Sequence, residues 1–246
     1  MTDLRGLLAS AECVLFDFDG PLCPLFSRHP ADGVAERLMA MMRELGTDPA
    51  DVIGRGAVRS GGRDIRRDPL AVLRAASAGG VPVGVVRKLE RFLSLEECEA
   101  AGKTEPTPFA LPLIRSLVDS DVRMAVTTNN SPAAVIRFLD VWRVSGLPEK
   151  HIHGRTLDPG RLKPDPDCLH RALDSTGTVA ADALMIGDST DDVHAARAAG
   201  VPFLGYARDS EKDAQLRAAG AQVVLGSLKT LLLAVPAAVR GRERGH

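Results

Sequence analysis

Apolar residues in this chain fall in short continuous runs. The first is CVLF at 13–16, and others follow at 122–127, 183–186, 201–204 and 222–225, with a weaker one near Ile152. Runs this short, with no polar residue on every second position, fit strands buried on both faces. Between them lie segments with helical spacing at 108–119, 132–141, 167–175, 191–199 and 210–219. Strand and helix therefore alternate, which predicts an α/β fold with a parallel sheet covered on both sides. The alternation breaks between 26 and 107, where helical patterns at 31–45, 69–78 and 81–101 dominate. An insert of that length can hold a small core of its own, so the expected organisation is a core of residues 1–26 and 106–246 with a helical cap, 27–105, inserted after the first strand. The polar tail 240–246 (RGRERGH) is expected to fray.

Ligands of open parallel sheets bind beyond the carboxyl ends of the strands, and the polar residues standing there narrow the chemistry. The first run leads into Asp17-Phe18-Asp19-Gly20-Pro21, two carboxylates two residues apart and then a turn signal. Strand periodicity puts both on one side, where like charges repel and call for a cation. Asp is also common in turns, so this segment alone fits a solvated turn equally well. A calcium loop of the EF-hand type is excluded, since the twelfth position counted from Asp17 is Arg28 rather than Glu.

The second run ends in Thr127-Thr128-Asn129-Asn130-Ser131-Pro132. Ser131 before Pro132 suits a helix N-cap, whereas Thr128 and Asn129 are placed to donate to an anionic oxygen. Lys163 precedes Pro164 and is restricted by it, so that its charge is either delivered to one place or lost to solvent. The run at 183–186 reaches Gly187 and Asp188, and Asp192 follows one helical turn on, which also suits a helix N-terminus.

Composition changes little. The 246 residues carry 31 Lys and Arg against 32 Asp and Glu, so no global field suggests a nucleic-acid or membrane partner. The four cysteines lack C-x-x-C spacing and are expected to be free thiols in a reducing cytoplasm. The apolar run at 231–239 is too short to cross a bilayer. One local bias stands out, the arginines Arg55, Arg59, Arg63, Arg66 and Arg67 in a glycine-containing stretch of the insert. These are either solvated or, for Arg55, Arg59 and Arg63 in particular, aimed at a second anionic group on a substrate.

Taken in order, DFDG, the strand ending in Thr128-Asn129, Lys163-Pro164 and GDSxxDxxAAxxAG resemble the four motifs of the haloacid dehalogenase-like superfamily of phosphohydrolases, closest to its phosphoglycolate phosphatase-type branch with a helical cap. The resemblance covers 11–28 and about 105–227. It implies a Rossmann-like core and a cytoplasmic, Mg2+-dependent phosphatase of a small phosphorylated metabolite, with no nucleic-acid or membrane partner. Asp17 would be the nucleophile and Asp19 the acid and base. Thr128, Asn129 and Lys163 would bind the phosphoryl group, with Thr128 and Lys163 acting in catalysis. Asp17, Asp19 through its carbonyl, and Asp188 would hold the metal, and Asp192 would orient Lys163 or a metal-bound water. A sugar-phosphate mutase and an inactive phosphometabolite-binding module are the alternatives. Pro21 departs from the Thr or Val usual after DFDG.

Overall fold

The computed structural model describes residues 4–55 and 65–243. A short helix α1 (Leu4–Ser10) leads into β1 (Cys13–Phe16), and the insert follows with α2 (Ala31–Glu44), α3 (Pro49–Arg55), α4 (Pro69–Ala78) and α5 (Val83–Lys103). The chain then alternates through α6 (Ala110–Asp119), β2 (Arg123–Thr127), α7 (Pro132–Val141), β3 (Ile152–His153), α8 (Asp167–Thr176), β4 (Ala183–Gly187), α9 (Thr190–Ala199), β5 (Phe203–Tyr206), α10 (Ser210–Ala219), β6 (Val223–Leu225) and α11 (Leu228–Glu243).

All six strands are parallel, in the order β3-β2-β1-β4-β5-β6. Strand order turns around at β1, which pairs with β2 on one side and β4 on the other. Phe16 lies opposite both Val126 and Ile186, so three strands end at one level. Such a switch point is where open sheets bind ligands.

The continuous apolar runs have a direct cause. Val14 and Phe16 enter a cluster on one face with Leu113, Phe138 and Ile186, while Cys13 and Leu15 enter one on the other with Met185, Leu169 and Ala195. Each large side chain removed from water contributes about 1.5–3 kcal/mol.

A separate cluster belongs to the insert. Val34, Leu38 and Met42, one stripe of α2, pack on Val72, Leu73 and Ala76 of α4 and on Leu89 and Leu93 of α5. Helix α5 also joins the two parts, since Ala100 and Ala101 at its far end lie in the core cluster and it packs along α7.

The elements differ from expectation in several places. Strand β5 starts at Phe203 rather than at 201, because Pro202 has no N–H to give a ladder and contributes only its carbonyl, which accepts from Met185 N–H at 2.9 Å. Helix α11 continues to Glu243, into the tail expected to fray. Helices α1 and α3 were not among the expected elements. Among the described residues no helix is long and apolar enough to cross a membrane.

Candidate active site

Asp17 extends β1 by one more bond, its N–H donating to the Ile186 carbonyl at 2.9 Å. The chain then turns back on itself. The N–H groups of Leu22 and Cys23 donate to the Phe18 carbonyl at 3.3 and 3.2 Å, and that of Gly20 to the Cys23 carbonyl at 2.8 Å. This turn replaces the extended strand the aspartate spacing suggested and gives the two carboxylates different surroundings. Asp17 is buried, while Asp19 is half-buried and accepts from Leu25 N–H at 2.9 Å. Thr107 clamps the turn, its N–H on the Leu22 carbonyl at 2.9 Å and its hydroxyl on the Gly20 carbonyl at 2.5 Å.

Two glycines permit the close approach of the aspartates. Gly20 has φ 121°, and a Cβ there would stand 2.4 Å from Asp188 Cγ; a Cβ on Gly187 would stand 2.5 Å from Asp192 Cβ. The turn after β1 and the end of β4 can therefore share one small space only because neither glycine carries a side chain.

Lys163 crosses that space, buried. Its ammonium donates to Asp17 Oδ1 at 2.9 Å, the Thr127 carbonyl at 2.9 Å and Asp192 Oδ1 at 2.5 Å, which satisfies all three of its protons. Its backbone is held as firmly. Asn129 Oδ1 accepts from Lys163 N–H at 2.7 Å and Asn129 Nδ2 donates to the Lys163 carbonyl at 3.1 Å, and the peptide to Pro164 is cis. The Asn129 carboxamide, expected to face substrate, thus ties the end of β2 to the lysine loop. Thr128 is placed at that strand end with its hydroxyl donating to Asn130 Oδ1 at 3.0 Å and accepting from Asn130 N–H at 3.1 Å. Thr127 points into the sheet, its hydroxyl on Met185 Sδ at 3.2 Å.

Asp192 belongs to a capping box at the start of α9. Its Oδ2 accepts from Asp188 N–H at 3.2 Å and from Ser189 N–H and Oγ at 3.0 and 2.7 Å. Both of its oxygens are therefore engaged. Asp188 faces Asp17 across the space and accepts from Lys212 Nζ of α10. Lys212 was not among the expected residues, because nothing in α10 links it to β4 except the fold.

Carboxylate oxygens of Asp17, Asp188 and Asp192 can lie within 4.8 Å of one another. Three buried carboxylates, Asp17, Asp188 and Asp192, meet two ammonium groups, Lys163 and Lys212, so carboxylates are in excess among them. An oxygen-only donor set with that excess suits a hard divalent cation. Asp17 and Asp188 are the carboxylates free to hold one, since Asp192 is committed to Lys163 and the capping box.

The electrostatics express the same excess. Burial, with Asp192 and Asp188 adding to it against the pull of Lys163, pushes Asp17 up to about 8. Burial also raises Asp188, to about 6, against Lys212. Burial would lower Lys163, but Asp17 and Asp192 carry it above the usual lysine value.

These shifts set a pH dependence. A carboxylate raised in the folded state binds protons more tightly there, so its contribution to stability falls as pH rises from its unfolded to its folded value. His153, lowered by burial to about 4, contributes in the opposite direction between about 4 and 6.5. The clean window is pH 6.5 to 8, where Asp17 acts without that opposition. In chelator the melting temperature is expected to fall there by about 3–6 °C per pH unit where the full slope of about 1.4 kcal/mol per unit applies. Thermal melts across that range check it, and a flat or rising profile would contradict the proposed balance of charge.

Of the arginines singled out in the insert, Arg59 and Arg63 lie outside the described residues, and only the backbone of Arg55, at the end of α3, lies within them. Three charged residues that reach the core from or to the insert emerge instead. Arg74 of α4 bonds the loop carrying Lys163. Glu97 of α5 and Arg155 form a buried pair beside Asn130. The signal for Arg74 was present, as a lone charge in the otherwise small and apolar PLAVLRAASA.

Comparison with known proteins shows the family and the fold. Residues 80–206 match the family model described as haloacid dehalogenase-like hydrolase. The phosphoglycolate phosphatase of Rhodospirillum rubrum is 30% identical over 215 residues, covering 80% of this chain and 82% of that protein. That of Pseudomonas fluorescens Pf0-1 is 29% identical over 230 residues, covering 89% and 78%. Among solved structures, a HAD family hydrolase from Deinococcus radiodurans R1, with bound phosphate and sodium, superposes with a TM-score of 0.58 at 24% identity over 94% of this chain and 97% of that one. CbbY from Rhodobacter sphaeroides in complex with phosphate gives 0.60 at 18% identity over 92% and 99%. At these identities the two structures speak to the fold.

Proposed function

The chain belongs to the haloacid dehalogenase-like hydrolase family, and from that premise we propose that it is a Mg2+-dependent phosphatase that hydrolyses a small phosphomonoester through an aspartyl phosphate. Residues 27–105 form its substrate-facing cap. One observation carries the reading: a buried Asp17 at the sheet's switch point, with Lys163 on one oxygen and Asp188 across from it. The named phosphoglycolate phosphatases among its relatives make 2-phosphoglycolate the first substrate to try. Four free thiols fit a cytoplasmic enzyme.

Asp17, Asp188 and the carbonyl of Asp19 would hold Mg2+, which when bound supplies charge neutralisation at the phosphoryl oxygens. The rest falls to side chains. An oxygen of Asp17 attacks phosphorus as the bond to the substrate's alkoxide breaks. Asp19, half-buried and oriented by Leu25 N–H, gives its proton to that alkoxide. It then takes a proton from the water that attacks phosphorus and restores Asp17. Lys163 balances the charge on Asp17 and the phosphoryl group throughout, held in line by Asp192 and Asn129. Thr128 turns its hydroxyl proton from Asn130 to a phosphoryl oxygen, a rotation about one bond.

The purified protein is expected to release phosphate from 2-phosphoglycolate and from p-nitrophenyl phosphate in Mg2+, to lose at least about a hundredfold in EDTA, and to recover on adding Mg2+ but not Ca2+, whose larger and looser shell misplaces the reacting groups. Turnover unaffected by chelator would sink the metal assignment, and no turnover on any phosphate ester would favour a binding module.

A further inference from the structure

Helix α4 packs against the turn Pro159–Arg161, just ahead of Lys163. From it Arg74 Nη2 donates to the Lys163 carbonyl, and Nη1 and Nη2 each reach Asp191 Oδ2 at 3.3 Å. Lys163 therefore touches the nucleophile with its ammonium and the cap guanidinium with its carbonyl, which sets Asp17 and Arg74 at opposite ends of one lysine residue. A molecule with its phosphoryl group on Asp17 and its other end at Arg74 must be short.

The Arg74 to Asp191 pair is a poor use of this guanidinium. Both nitrogens share one oxygen at the long limit of hydrogen bonding, and that carboxylate is 37% exposed against 15% for Arg74. A pair with contacts this long and one partner open to water contributes little, whereas a carboxylate taken bidentately makes two short charge-assisted bonds. Substrate can displace Asp191 at small cost and gain the better pairing.

We propose that Arg74 is the specificity-determining residue of the cap and takes the carboxylate of a short phosphorylated hydroxy acid. The inference rests on the phosphatase reading above and assigns to Arg74 the role that composition suggested for Arg55, Arg59 and Arg63. On binding, the guanidinium exchanges Asp191 for the substrate carboxylate while the Lys163 carbonyl keeps it in place.

The test compares 2-phosphoglycolate with ethyl phosphate, which has the same carbon count and no carboxylate. In Arg74→Ala the ratio of kcat/KM for the acid over the ester is expected to fall about thirtyfold, mostly through KM, as for loss of a charge-assisted bond. Arg74→Lys should restore part of that ratio, because it returns the charge without the fork. Asp191→Asn, which releases the guanidinium, should lower KM for the acid. If both substrates decline in parallel in Arg74→Ala, so that the ratio is unchanged, Arg74 only holds the cap to the core and the inference fails while the phosphatase reading stands. If the unaltered protein turns over p-nitrophenyl phosphate but does not favour the acid over ethyl phosphate, the inference fails while the phosphatase reading stands; if it turns over no phosphate ester, the phosphatase reading fails and takes the inference with it.

Discussion

Asp17→Asn is expected to reduce phosphate release by about four orders of magnitude or more while the protein melts no lower than the parent. The two halves of this result have one cause. An amide nearly matches the carboxylate in shape but cannot attack phosphorus, so the covalent step is lost. The carboxyl it replaces is buried among Asp192 and Asp188 and raised to about 8, so in the absence of a cation Asp17, ionised in the unfolded chain at pH 7, must take up a proton on folding, a cost to stability. The amide carries no such cost, and Lys163 keeps Asp192 and the Thr127 carbonyl as acceptors. Phosphate release and thermal melting in chelator, measured on the same preparation, check both. Residual turnover within about a hundredfold of the parent would move the nucleophile elsewhere, and a large drop in melting temperature would show that Asp17 holds the fold together.

How much of this was legible in the sequence follows from what each feature depends on. The strands β1, β2 and β4 were visible because burial on both faces writes itself into consecutive residues, and the polar groups at their ends were visible because a strand stops where its apolar run stops. The insert was visible as a change of period. Asp17, Lys163, Asp188 and Asp192 could be singled out, but their convergence could not, since Lys163 and Asp17 stand 146 positions apart in the chain. Asn129 was legible as a polar group at a strand end, though not as a clamp on Lys163. The arginine-rich stretch drew notice because composition is a local property. Arg74 shows in the sequence only as a lone charge in an apolar helix, and its contact with the Lys163 loop comes from where α4 sits. Lys212 and Thr107 are ordinary surface or loop residues until the sheet brings them to Asp188 and Gly20.

The least legible feature has the largest expected effect on stability. Arg155→Ala is expected to cost about 3–5 kcal/mol, the range for breaking a buried pair. Glu97 lies on α5 with its side chain 1% exposed, and Arg155, at 0%, meets it with two nitrogens at 2.9 Å each. Asn130 Nδ2 and Ser131 N–H also donate to Glu97, at 3.0 and 2.9 Å. Without Arg155 the carboxylate keeps these two neutral donors and no cation, in a place water does not reach. The reverse change, Glu97→Ala, should cost less. It leaves Arg155 with Glu90 at 3.3 Å, Ser94 Oγ at 3.1 Å and the Asn129 carbonyl at 2.9 Å. Denaturant melts of the two single variants and of the double variant Glu97→Leu with Arg155→Met check the ordering, with the double variant expected to recover part of the Arg155→Ala loss, because neither charge is then stranded while Asn130 Nδ2 and Ser131 N–H lose their acceptor. The pair also bears on activity. Glu97 orients Asn130, and Asn130 receives the hydroxyl of Thr128, so either single change should lower kcat through a loosened Thr128 even where folding is complete. Equal stability of Arg155→Ala and the parent would mean that water enters this junction and that α5 is not fixed to the core by charge.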